Sequence, residues 1–124
     1  MYKYLNVNPV GRITDDCLVR AVATIMGISW EKAYMDLCNR GLLIYDMPNK
    51  DSVLSLYMKE KGFKREIVPN TCPSCYSIAE FCEDHPYGEY ILLSGGHAVA
   101  AINGNYYDTT DSGIEIPMFY WERR

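Results

Sequence analysis

No cluster of lysine or arginine stands out in this chain of 124 residues except the terminal Arg123-Arg124, and 12 basic residues face 16 acidic ones. A formal charge of -4 without a basic stripe argues against nucleic acid as a partner. No segment approaches the roughly 18 apolar residues that a membrane span requires. The first nine residues, Met1 to Pro9, hold no apolar stretch followed by a cleavage site. The expectation is a cytoplasmic protein with no membrane partner. Repeats and low-complexity stretches are missing too, which excludes solenoids and disordered tails. Five cysteines at irregular spacing make no disulfide framework in a chain without a secretion signal, so the thiols are expected to be mostly reduced. Histidine is scarce, with only His85 and His97. The glycines are not spaced as a phosphate loop, and no cofactor is expected.

What is present suffices for one domain over residues 1–124: nearly half of the residues are hydrophobic, enough for a real core, and the chain is too short for two cores. Thr14-Asp15-Asp16 offers N-caps to an apolar helix from Cys17 to Met26, stopped by Gly27 and interrupted only by Arg20 and Thr24. A helix so apolar is expected at the centre of the fold. Ser29 caps a second helix with Trp30, Ala33, Tyr34, Leu37 and Cys38 on its buried face. A third runs from Asp51 or Ser52 to Gly62, and a capping box at Ser77-Glu80 opens a short fourth that ends at His85-Pro86. Strands are expected over Phe63–Val68, Tyr90–Leu93, His97–Ile102, Tyr106–Thr109 and within Glu115–Trp121. Helices first and strands last predict an α+β class with an antiparallel sheet.

Chemistry gathers at two distant positions. A thiol in the first turn of a helix has the helix amides and positive dipole end aimed at it, which favours the thiolate, so Cys17 is a candidate nucleophile. Asn103-Gly104 signals a two-residue hairpin turn, which sets Ile102 opposite Asn105 and Val99 opposite Asp108. His97 and Asp108 then share a face as diagonal neighbours, and Asp111 falls on the other face. If Cys17 abuts that face, the three residues suit acyl transfer. Cys17 attacks a carbonyl, His97 serves as general base and acid, and Asp108 orients the ring. Gly95 and Gly96 would let a substrate backbone lie close to the histidine.

Asp16-Cys17 opening an apolar helix, Gly96-His97-Ala98-Val99-Ala100 on a strand and Tyr107-Asp108-Thr109 on the next resemble the small papain-like cysteine peptidases, in particular the compact bacterial and phage C39-like group. The resemblance implies a helical half led by the nucleophile helix, a small antiparallel sheet carrying His and Asp, a cleft between them, and a peptide or protein as substrate. Such enzymes usually carry a Gln shortly before the cysteine as an oxyanion donor. Here that stretch is Gly11-Arg12-Ile13-Thr14-Asp15-Asp16. The Cys17 amide remains, with Arg12, Thr14 or Asn8 as candidate second donors, and a lost donor costs about 100- to 1,000-fold in rate.

Two other readings compete. The fold could serve as a catalytically weak or inactive binding or effector module of phage origin. Alternatively, Cys72, Cys75, Cys82 and His85 form a C-x2-C and C-x2-H pattern conceivable as a structural zinc site, although Cys82 already has a core position beside Phe81 and Cys72-Cys75 could instead shape a turn or form a disulfide.

Overall fold

The computed structural model describes residues 1–123. In chain order the elements are β1 (Tyr2–Tyr4), α1 (Cys17–Met26), α2 (Trp30–Ile44), α3 (Asp51–Glu60), β2 (Phe63–Ile67), α4 (Ile78–Asp84), β3 (Glu89–Ser94), β4 (His97–Ile102), β5 (Asn105–Asp108) and β6 (Phe119–Arg123). This is an α+β protein whose strands form one sheet in the order β1-β5-β4-β3-β6-β2. The sheet is mixed, not antiparallel as expected, because β1 pairs parallel with β5 through Tyr2–Tyr106 and Tyr4–Asp108. A three-residue strand is too short for alternation to announce it, and it also breaks the order of helices before strands. The last strand begins at Phe119, later than expected, after an irregular segment that contains Pro117, a residue unable to donate to a ladder.

Burial explains why the central strands read as continuous apolar runs. Ile91 and Leu93 of β3 and Ala98 and Ala100 of β4 join one cluster with α1, α2, α3 and Trp121. The intervening Tyr90, Leu92, Val99 and Ala101 join a second cluster with Ile78, Phe81 and Cys82 of α4. Both sheet faces are therefore covered, and alternation in polarity disappears. As its composition predicts, α1 lies in the middle: six of its ten residues are buried, and it packs on β3, β4 and α2. Cys38, expected in the core, is half-buried.

Two glycines fix the geometry around the site. Asn103 and Gly104 take positive φ angles of 48° and 80°, and the resulting hairpin pairs Ile102 with Asn105, Ala101 with Tyr106 and Ala100 with Tyr107, as the turn chemistry demands. Gly41 sits inside α2, where the chain folds back over it: a Cβ there would lie 2.6 Å from the carbonyl oxygen of Asp46. Gly41→Ala in an exposed helix would gain about 1 kcal/mol. Here the sign should reverse. Chemical denaturation of Gly41→Ala is expected to show a loss of about 1–3 kcal/mol, since helix and backbone must part to admit the methyl group.

Candidate active site

Cys17 is the first residue of α1, and Asp16 occupies the N-cap position. Asp16 does not cap the helix with its side chain. Its carboxylate instead accepts from Arg20 Nε at 2.8 Å, from Trp30 Nε1 at 2.9 Å and from Asn8 Nδ2 at 3.4 Å. The helix tip is thereby tied to α2 and to the preceding loop. His97 is the first residue of β4 and Asp108 the last of β5, so both lie at the end of the hairpin opposite its turn. There His97 Nε2 meets Asp108 Oδ2 at 2.6 Å, and Asp111 turns elsewhere, accepting from Tyr106 and the Gly113 amide. Asp108, and not Asp111, is thus the carboxylate placed against His97, where hairpin parity put it.

Cys17 lines the same cavity as His97 and interacts with its ring. With Nε2 committed to Asp108, Nδ1 is the ring nitrogen left for the sulfur. The bond to Asp108 and then the interaction with Cys17 push the imidazole pKa up to about 10, against the opposing effect of burial. Through the neutral range the ring is therefore protonated. Cys17 is half-buried and lines a cavity of about 490 Å³ together with His97, Gly96 and Leu93. Helix tip and hairpin end thus meet across an open cleft.

Asp108 is 1% exposed and receives four donors. Arg20 Nη1 (3.0 Å) and the Thr109 amide (2.7 Å) reach Oδ1, and His97 and Ser112 Oγ (2.8 Å) reach Oδ2. Burial alone would raise its pKa, but the bonds from His97, Ser112 and Arg20 outweigh that and hold the carboxyl well below the usual carboxylate range. Arg20 therefore bridges the carboxylate before the nucleophile and the carboxylate behind the histidine. Burial disfavours its charge, and the bonds to Asp16 and Asp108 more than compensate.

Several expectations need correction. Asn8, Arg12 and Thr14 line a neighbouring cavity, not the one that holds Cys17 and His97. Asn8 is also committed locally, since its Oδ1 accepts from the Val10 and Arg12 amides and its Nδ2 donates to Asp16. Of the proposed donors only the Cys17 amide sits at the site. Asn49, which the sequence did not single out, does line the cavity with Cys17 and His97, and its Nδ2 is engaged only at 3.5 Å, with Asp15. Gly96 borders the cavity, whereas Gly95 is exposed and stands outside its lining.

The zinc arrangement does not form. Cys72 and Cys75 are joined to each other as a disulfide, one of the alternatives for that pair, while Cys17, Cys38 and Cys82 are free. Cys82 is buried in the α4 cluster, and His85 lies over Phe81 with its Nδ1 on the Phe81 carbonyl. No group of three or more His, Cys, Asp or Glu among the described residues is placed to hold a metal ion. No helix among them is long and apolar enough to cross a membrane. No family model, curated protein or solved structure matches the chain.

Proposed function

We propose that this protein is a cysteine-dependent hydrolase of papain-like type, a peptidase or amidase acting through Cys17, His97 and Asp108. The observation that carries the reading is that Cys17 and His97 line one open cavity while His97 is bonded from behind to the buried Asp108 carboxylate. Also in its favour is the division of the chain, with the nucleophile heading the helical half and histidine and aspartate on the sheet.

The raised His97 pKa refines the chemistry. In this reading the thiol proton has passed to the imidazole before attack, so the ring acts first as an acid. Sulfur attacks the substrate carbonyl, and the charge on oxygen is met by the Cys17 amide and the Asn49 side-chain amide. Collapse breaks the C–N bond as His97 protonates the departing amine, leaving a thioester. His97, now neutral, takes a proton from water as that water attacks the thioester, and the carboxylic acid leaves. Asp108 keeps the ring in place throughout.

Iodoacetamide tests the first step. In the folded protein near neutral pH it is expected to alkylate Cys17 at least about 10-fold faster than Cys38 or Cys82, as read by mass spectrometry of digests. Equal labelling of the three free thiols would remove the basis for a nucleophile. A reactive Cys17 combined with no cleavage across a broad peptide library would favour the noncatalytic module.

A further inference from the structure

Beside the cavity of Cys17 and His97 lies a second one of about 410 Å³, and the two share Asp15 and Asn49 in their linings. The two cavities adjoin at these residues, where the Asn49 amide donates to the Asp15 carboxylate, and we read this polar border as a saddle between two parts of one groove. The compartments differ in chemistry. The second has one apolar wall, of Val19, Trp30, Tyr34, Met47 and Pro48, facing a polar side that includes Arg12, Thr14 and Asp15. Its volume falls in the lower part of the roughly 300–1,000 Å³ range of sites that enclose small ligands or large side chains.

Its apolar wall is built in advance. Trp30 and Tyr34 stack with centroids 5.0 Å apart and planes within 16°. The Trp30 ring cannot swing freely, because its Nε1 donates to the buried Asp16 carboxylate. Tyr34 is 42% exposed and Met47 61% exposed, so this surface is open to an incoming group. At the lip, Arg12 has no ion-pair partner among the described residues and can donate to a main-chain carbonyl. A polar saddle suits the amides of an extended backbone, and an apolar compartment one step away suits a side chain.

We infer that the compartment walled by Trp30, Tyr34 and Met47 is a specificity site that receives a large aromatic or aliphatic side chain of a polypeptide substrate whose reacting carbonyl lies at Cys17. The inference rests on the hydrolase reading and adds the class of substrate. Lipid acyl chains fit less well, since they offer nothing to the polar groups of the saddle and lip.

The test uses cysteine-directed chloromethyl probes, in which the Cys17 sulfur displaces chloride and forms a thioether. Acetyl-Phe-Gly and acetyl-Ser-Gly chloromethyl ketones explore one side of the reacting carbon. N-chloroacetyl-Phe amide and N-chloroacetyl-Ser amide explore the other. In one of the two pairs, Phe is expected to react about 10-fold faster than Ser, the gain from burying one large apolar side chain. Tyr34→Ser and Met47→Ser together should remove most of that preference and leave the iodoacetamide rate at Cys17 unchanged. Both positions are exposed enough to tolerate the change, and Trp30 keeps its bond to Asp16. Equal rates for Phe and Ser in both pairs, with selective iodoacetamide labelling of Cys17 intact, would overturn the specificity site alone. A preference that survives the double substitution would also overturn it, by placing the side chain elsewhere. Loss of selective iodoacetamide labelling in the unaltered protein would instead defeat the thiol reading and this inference with it.

Discussion

Removing the imidazole, in His97→Ala, is expected to slow alkylation of Cys17 by iodoacetamide at pH 7 by about 10-fold or more and to reduce hydrolytic turnover by about 100- to 10,000-fold. The alkylation effect follows from losing the cation with which Cys17 interacts. The turnover effect is larger because the leaving amine also loses its proton source. Asp108→Asn should leave the ring in the cleft but weaken its hold, and should fall between the two. The same contact makes a pH signature. The folded pKa of His97 is raised above the ordinary value of about 6.5, so its stabilising effect is complete below that value and fades as pH rises towards about 10. In a Cys17→Ala background, which isolates the Asp108 contact, the protein with His97 should lose stability relative to His97→Gln as pH rises above about 6.5, over a window that ends below the value of about 10 reached with Cys17 present. Parallel denaturation curves for the two across that window would show that the imidazole gains nothing from Asp108.

Much of this arrangement could be read from residue types because it depends on local geometry. Asn103-Gly104 permits essentially one turn, the turn sets one register, and the register brings Asp108 to His97. Cys17 at a helix start followed from the apolar run and from Gly27, which takes the left-handed conformation expected of it. What escaped depends on long-range packing. Asn49 reaches the cavity only because the chain folds back over Gly41, and a glycine inside a helix does not say what will lie against it. Ser112 meets Asp108 through a loop with no periodicity. Asp16 looked like an ordinary cap, and only the tertiary partners Arg20 and Trp30 reveal that its carboxylate is used elsewhere. The donors proposed from the loop before Cys17 failed for the related reason that Asn8 organises that loop's own amides.

Arg20 is the residue whose loss should cost the fold most. It was legible only as a polar interruption on an apolar helix, yet it lies between two carboxylates, Asp16 at 6% exposure and Asp108 at 1%. Replacing it by methionine fills similar space and leaves both acids buried with one cation fewer. Breaking a buried pair in this way typically costs about 3–5 kcal/mol, since the remaining charge stays desolvated. Arg20→Met is expected to lose that much by urea denaturation. Arg20→Lys keeps the charge but has no fork to reach Nε and Nη1 positions at once, and should recover only part of it. The decisive comparison is the double substitution Arg20→Met with Asp108→Asn, which removes one of the stranded charges. If the bridge is what Arg20 provides, the double variant should be more stable than Arg20→Met alone, while Cys17 labelling stays slow because His97 has lost its charged partner. Simple additivity of the two losses would mean that Arg20 and Asp108 contribute independently, and the ionic link between nucleophile helix and histidine strand would have no energetic weight.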